Sequence, residues 1–439
     1  MLRAKNKTGL VFFPAFDWAI SPTHPEREER LLYTQDQVFE EGLLDIDGIV
    51  EFKPDLVTIN DVQRVHFCVP DPWAVMTESH FISAGGAKTI GMAVMDGTVE
   101  RGFALVRPPG HHACRIVHGA RGFCNVNIEA IMIEYLRRAY GVERVAIIDT
   151  DCHHGDGTQD IYWHDPHTLF ISIHQDGRTL YPGSGFLNEM GGPNAVGTTI
   201  NIPLPPNTSD EGFLYAIKKM VLPILDDFKP QLIINSAGQD NHYSDPITNM
   251  NFSARGYAKL TSLLKADIAV LEGGYSIEGA LPYVNTGIIL AMAGLDYDHL
   301  SEPDYDVNTY RQSMETTDYI HQVGEKVLEL WEQRESLTEK ARNKANAGKR
   351  TRSIYYDTDS IQENQKESIR ICDDCGGALR IESAANGHKP ILAVHIPING
   401  CAACQDQGHQ WFETARIDQF SHIFLQDRTT DRYLSRDIK

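Results

Sequence analysis

No apolar run in the 439 residues approaches the ~20 needed to cross a bilayer as a helix, so the sequence predicts no membrane span. Basic residues are scarce: 40 Lys and Arg stand against 60 Asp and Glu, for a formal net charge of -20. That deficit argues against a nucleic-acid partner, because affinity for phosphate backbones comes largely from Lys and Arg displacing counterions. The start "MLRAKNKTGLVFFPAF" has basic residues and then a short apolar segment, but no small-residue cleavage site follows. It reads as a first strand and the expected location is cytoplasmic. No internal repeat or long low-complexity tract is evident. Of only eight cysteines, Cys68, Cys114, Cys124 and Cys152 are scattered, while Cys372, Cys375, Cys401 and Cys404 form two C-x-x-C pairs. Without a secretion signal, such pairing suggests metal ligation over disulfides.

Short apolar, β-branched segments recur between stretches of helical spacing: "GLVFFPAF", "GFALVRPPG", "RVAIIDTD", "LFISIHQD", "TTINIPLPP", "QLIINSAGQD" and "ADIAVLEGGY". Alternation of this kind predicts an α/β fold with a parallel sheet covered on both faces. In open α/β sheets ligands sit outside the carboxyl ends of the strands, so the residues that finish each run are where chemistry is expected. The pattern ends near residue 298. From Thr309 to Ala345 the text is charged and helical, with Ile320, Val323, Val327, Leu330 and Leu337 spaced as one apolar stripe. Residues 343–368 are polar and without periodicity and read as a linker. The cations Lys340, Arg342, Lys344, Lys349, Arg350 and Arg352 read as a solvated helix end. The expected units are therefore an α/β catalytic domain over 1–300, a helical and polar linker over 301–368, and a small cysteine-held domain over 369–439.

The stretch "AIIDTDCHHGDGTQD" crowds ionisable groups behind a buried strand. In extended backbone, side chains alternate faces, which sends Asp149, Asp151 and His153 one way. Two carboxylates and an imidazole buried together would cost several kcal/mol each without a cation, so a metal is the economical reading. Oxygen and nitrogen donors suit zinc, with ferrous iron a competitor. A catalytic zinc takes about three protein ligands and keeps one position open for water. "INSAGQDNHYSDP" supplies Asp240 and, further along, Asp245; Asp240 follows its strand more closely and is the better third ligand. "LVRPPGHHAC" offers His111 and His112 for proton transfer, each to be oriented by its own carboxylate, with Asp149 and Asp156 to spare. "VLEGGYS" places Tyr275 on a Gly-Gly turn, where its phenol could donate to an oxyanion.

The motifs "RPPGHHA", "RGFCNVN", "DTDCHHGDGTQD", "ISIHQD", "YPGSG", "SAGQDNHYSDP" and "EGGYS", together with the early "HPEREER" and "ISAGGA", resemble the histone deacetylase and acetylpolyamine amidohydrolase superfamily. "RPPGHHA" and "EGGY" look more like its class II and bacterial deacetylase-like amidohydrolase branches. The resemblance covers roughly residues 8–298 and implies the arginase-deacetylase fold, with a central, mostly parallel sheet of about eight strands. It implies a catalytic zinc held by Asp151, His153 and Asp240. It also implies a general base, His112 paired with Asp156; an electrostatic partner, His111 paired with Asp149; and Tyr275 polarising the substrate carbonyl. A potassium ion is implied at Asp149, the backbone of Asp151 and His153, Ser172 and Ile173. Phe123 and Tyr181 match the aromatic walls of the family's substrate tunnel, with Gly122 keeping the wall close; most members carry Phe where Tyr181 stands. Asp71 falls near the family's rim aspartate. Gln239 is a departure, since Phe commonly precedes this zinc-binding Asp, and it is expected to alter the surrounding hydrogen bonds without deleting a ligand. His174 and His242 read as structural.

The implied activity is zinc-dependent hydrolysis of an acylated lysine in a protein or peptide, or of an acylated polyamine. Polyamine-selective members resembling the eukaryotic class IIb enzyme carry Glu where this chain has Ile247, and an apolar residue there favours acyl-lysine. A chain that keeps the fold without turnover, as a binding or regulatory protein, is the rival from another class; the complete set of His111, His112, Asp151, His153, Asp240 and Tyr275 argues against it. A homo-oligomer is compatible with the sequence.

Cys372-x-x-Cys375 and Cys401-x-x-Cys404 have the spacing of a tetrathiolate zinc site and resemble zinc-ribbon modules. Gly376, Gly377 and Gly400 ease the turns beside them. Four thiolates close the coordination sphere, so this second metal is expected to be structural.

Overall fold

The structure is a computed structural model that describes residues 2–437. Eight strands build the main sheet: β1 (Arg3–Phe13), β2 (Asp47–Phe52), β3 (Arg101–Val106), β4 (Val145–Asp149), β5 (Thr168–Gln175), β6 (Thr199–Leu204), β7 (Leu232–Ala237) and β8 (Ile268–Leu271). Their spatial order is β2-β1-β3-β8-β7-β4-β5-β6. Every neighbouring pair is parallel.

Strand alternation feeds two cores. Ala146 and Ile148 of β4, Ala269 and Leu271 of β8, and Leu10 and Phe12 of β1 face one hydrophobic cluster. Val145 and Ile147, Ile268 and Val270, and Val11 face the other. Both faces are thus buried, which is why these strands are continuously apolar instead of alternating with polar residues. Helices Glu78–Met95 and Ile128–Tyr140 cover one face; Ala254–Leu264 and Leu281–Met292 cover the other.

Beyond residue 300 the organisation differs from the expected one. Helix Met314–Glu332, capped by Ser313, buries Ile320, Val323, Val327 and Trp331 in the same core as β4 and β8, so it is part of the α/β unit and not a linker. Leu330 and Leu337 are only half-buried. The polar stretch over 343–368 is no linker either. It supplies β9 (Lys349–Tyr356) and β10 (Ile361–Ile369), the first strands of a second sheet completed by β11 (Leu379–Ala385), β12 (Ile391–Ile396), β13 (His422–Asp427) and β14 (Arg432–Asp437). Neighbours in this sheet follow chain order. All pairs are antiparallel except β12 and β13, which run parallel on either side of the crossover helix Ala402–Thr414. The appended unit therefore begins near Lys349, about twenty residues before the expected boundary. The physical reason lies in β10: Glu363, Gln365, Glu367 and Ile369 point inward, so the buried side of the strand is mostly polar and leaves no hydrophobic period to read.

The second sheet is joined to the first unit through segments on either side of the His111–His112 turn. The two-stranded pair Phe67–Cys68 and Ile116–Val117 places Phe67 and Ile116 in a cluster with Ile369, Leu379, Ile381, Ile391, Ala393 and Phe424. The basic cluster takes part, contrary to its reading as a solvated helix end: Arg352 pairs with Asp160 and Glu367, and Arg342 donates to the carbonyls of Pro193 at 3.1 Å and Cys372 at 2.9 Å. Lys340 and Lys344 remain exposed. Among the described residues no helix is long and apolar enough to cross a membrane.

Candidate active site

The four strands in the middle of the main sheet, β3-β8-β7-β4, are the four whose C-terminal ends carry the ionisable motifs. Adjacency of their ends puts residues far apart in sequence into one pocket. Ligand atoms of Asp151, His153 and Asp240, all buried, lie within 4.8 Å of one another. His153 Nδ1 is 2.8 Å from Asp240 Oδ2 and 3.2 Å from Asp151 Oδ1. Backbone groups fix the carboxylates: Gly273 N–H donates to Asp151 Oδ2 at 2.7 Å, and Cys152 N–H donates to Asp240 Oδ1 at 2.7 Å. Gly273 must approach this closely, since a Cβ there would stand 2.6 Å from carboxylate oxygens of both Asp151 and Asp240.

The electrostatics fit a cation. Burial, then the charge of Asp151, pushes the Asp240 carboxyl up to about 6; burial, then Asp240, pushes Asp245 up to about 7. Burial likewise raises Glu272 to about 8. Against its burial, Asp151 moves the other way, drawn down by His111 and His153, and a divalent ion between Asp151, His153 and Asp240 would favour the ionised form of Asp240 as well.

His111 and His112 follow β3 and each faces its own carboxylate. His111 Nδ1 lies 3.1 Å from Asp149 Oδ2, and His112 Nδ1 lies 2.9 Å from Asp156 Oδ1. An ionised carboxylate only accepts, so in each pair Nδ1 donates. The two imidazoles are pushed in opposite directions. For His111, burial would depress the basicity, but Asp151 and Asp149 outweigh it and hold the ring protonated. Burial, then the neighbouring His111 charge, drives His112 down to about 3, leaving it a neutral base with Nε2 free. The surroundings thus favour the charged form of one imidazole and the neutral form of its neighbour.

Three supporting groups were not assigned roles from the sequence. Glu272 Oε2 accepts from the backbone N–H of Gly110 at 2.7 Å and of His111 at 3.0 Å, fixing the His-His turn. Arg121 pairs with Asp156 and holds that carboxylate well below the usual range, against the effect of its burial. Arg30 donates to the carbonyls of Gly274 at 2.7 Å and Glu272 at 2.6 Å, fixing the Gly-Gly turn that carries Tyr275. "EGGY", "HPEREER" and "RGFCNVN" contained these three residues, but the motifs did not show the contacts that each makes.

Tyr275 lies beside Phe123, ring centroids 5.6 Å apart, with the Arg30 guanidinium 4.9 Å from its ring centre. Burial, with Asp240 and Asp151 adding to it, raises the phenol well above its ordinary value, so it remains a donor. Asp245 accepts from the Tyr275 backbone N–H at 2.8 Å. The Tyr181 ring is 5.2 Å from His112 and 6.4 Å from His153. Gly122, with φ of +52°, passes under the His112 ring, and a Cβ there would meet His112 Cδ2 at 2.3 Å.

Other candidates have different surroundings. Ser172 pairs in register with Asp149, and its hydroxyl lies 2.8 Å from His174 Nδ1; Ile173 is in the core. His174 also contacts the Gly185 carbonyl at 3.0 Å, and His242 faces Ser244 and Glu302. Gln239 bonds Asn285 through its amide. Ile247 is half-buried, its N–H on Asp245 Oδ1 at 3.0 Å. Asp71 is exposed and caps the short helix Pro72–Val75; among the described residues its side chain bonds only Ala74 of that helix, and nothing ties it to Phe123 or Tyr181.

At one end of the second sheet, the sulfurs of Cys372, Cys375, Cys401 and Cys404 also lie within 4.8 Å of one another. Cys372 Sγ is 3.6 Å from Cys401 Sγ and 3.7 Å from Cys375 Sγ. These separations exclude disulfides, whose S–S bonds are about 2.05 Å. A tetrahedron with metal–sulfur bonds of about 2.3 Å has edges of about 3.8 Å, close to the spacing seen.

The model of the histone deacetylase domain family matches residues 73–291. A protein of Archaeoglobus fulgidus named "Probable deacetylase" is 42% identical over 378 residues, covering 80% of this chain and 98% of that protein. The acetoin utilization protein AcuC of Staphylococcus xylosus is 31% identical over 332 residues, 67% of this chain and 84% of the other. Among solved structures, the HDA15 HD domain superposes with a TM-score of 0.65 at 25% identity, covering 77% of this chain and 99% of that one. Sequence similarity along nearly the whole of a relative agrees with the sheet order and the ordered motifs, and the chain belongs to the histone deacetylase and acetylpolyamine amidohydrolase superfamily.

Proposed function

We propose that this chain is a zinc-dependent amidohydrolase that removes acetyl or other acyl groups from lysine side chains. The observation that carries the reading is the convergence of Asp151, His153 and Asp240 beside two imidazoles, His111 and His112, each held by its own carboxylate. When bound, zinc supplies a Lewis acid and a water of lowered pKa. His112 Nε2 accepts the proton of the water that adds to the acyl carbon, and returns it to the amine as the C–N bond breaks. Asp156 holds the His112 tautomer, and Arg121 keeps Asp156 ionised. His111 contributes a fixed positive charge, and the Tyr275 hydroxyl donates to the carbonyl oxygen as negative charge develops there. Phe123 and Tyr181 flank the aliphatic stem of the lysine. A potassium ion at Asp149, Ser172 and the nearby carbonyls would offset further negative charge. The four cysteines hold a second, structural zinc.

Catalytic efficiency across acyl-lysine peptides and acetylated polyamines, with zinc, ferrous iron or chelator, tests this reading. The expected result is chelator-sensitive turnover with acyl-lysine preferred over polyamine, consistent with Ile247 in place of an acid. Preference for acetylated polyamines would transfer the assignment to that substrate class, and no turnover by metal-loaded protein on either would favour a binding role.

A further inference from the structure

We infer that the turn between β9 and β10 of the appended sheet is part of the substrate tunnel, with Asp357 the positioning residue that fixes both of its aromatic walls. This rests on the deacylase reading for its kinetic consequence, but its geometry is independent of it.

Gly122 and Phe123 are the two central residues of a tight hairpin closed by Arg121 N–H on the Cys124 carbonyl and Cys124 N–H on the Arg121 carbonyl, each 2.9 Å. Both have positive φ, +52° and +69°. Two-residue hairpins demand this left-handed pair, but Gly, Asn or Asp ordinarily occupies it. An aromatic residue is rarely found there and persists when its surroundings over-determine it. Here the surroundings come from the second sheet. Asp357 Oδ1 accepts from Gly122 N–H at 2.9 Å, Asp359 Oδ2 accepts from Ala120 N–H at 2.6 Å, and Arg121 Nε donates to the Tyr355 carbonyl at 3.2 Å.

The same Asp357 oxygen accepts from the Tyr181 hydroxyl at 3.1 Å. Tyr181 is 36% exposed, so this bond and the nearby Arg121 guanidinium, 5.7 Å from its ring centre, orient a side chain that burial alone would leave free. The hydroxyl that distinguishes Tyr181 from the family's usual Phe thus has a partner in a segment outside the catalytic unit. One carboxylate oxygen links the tip that presents Phe123, whose ring borders Tyr275, to the Tyr181 ring, which borders His112 and His153.

The test uses the full chain with D357A and D357N. D357A should accelerate amide exchange in residues 119–124 and raise KM for an acetyl-lysine peptide by about tenfold, the scale of one or two lost hydrogen bonds, with kcat and zinc content little changed. D357N retains a carbonyl oxygen and should restore both exchange and KM. The proposal is overturned if D357A leaves exchange or KM unchanged, or if D357N behaves like D357A, which would make the charge and not the hydrogen bonds responsible. If the wild type turns over no acyl-lysine substrate, the functional reading falls, and the exchange comparison alone decides whether Asp357 holds the loop.

Discussion

Replacement of His112 by alanine should lower kcat by about 10² to 10⁴, the usual contribution of a positioned acid-base group, while metal content and KM stay close to wild type. The expectation follows from the contrast between the two histidines. Asp156 accepts from His112 Nδ1, leaving Nε2 as the base, while burial and the charge of His111 hold the ring down to about 3. A depressed value means the proton-accepting form persists as pH falls through 6.5 and is lost only as pH approaches the lowered value. The acid limb assigned to His112 in kcat/KM should accordingly lie below pH 6.5. Wild-type rates in the alanine variant would remove His112 from the role, and a limb at or above pH 7 that vanishes on its replacement would contradict the electrostatic picture.

Replacement of Cys404 by serine should release one equivalent of zinc and unfold the second sheet. Tetrathiolate binding is worth on the order of 10 kcal/mol in small metal-held units, comparable to the entire stability of an ordinary domain. Of the unit's two main apolar clusters, one is shared with Phe67 and Ile116 of the α/β unit. Sharing also carries the damage across the boundary. Ile354 and Tyr356 pack on Cys114, two residues after His112, and the Tyr356 hydroxyl donates to the Ile116 carbonyl at 3.0 Å. Loss of the cysteine site should therefore depress activity as well as the thermal unfolding midpoint. Zinc quantification alongside a melting curve checks this; an unchanged melt with unchanged zinc would show that Cys404 holds no metal.

The catalytic sheet was legible because its strands are buried on both faces. "VAIID" and "IAVL" have no polar interruption, and each ends where the chemistry starts. The second sheet was not, because Glu363, Gln365 and Glu367 occupy the buried face of β10, where Glu363 meets His118 and Ser383, Glu367 meets His164 and Arg352, and Gln365 donates its amide to Glu363. A polar interior has the composition of a linker. At the site, strand alternation and strand-end position brought Asp151, His153 and Asp240 together on paper, whereas the pairing of His112 with Asp156 came from the family resemblance. Arg121 opens the motif "RGFCNVN", but its pairing with Asp156 and the role of Asp357 depend on contacts separated by 35 and 235 residues of chain, respectively, which no local pattern encodes.

Anomalous diffraction at the zinc edge from crystals of active protein is the most direct measurement. One peak should lie about 2.0–2.2 Å from donors of Asp151, His153 and Asp240, and a second about 2.3 Å from the four sulfurs. Active protein with no divalent ion bound among Asp151, His153 and Asp240 would contradict the proposed chemistry.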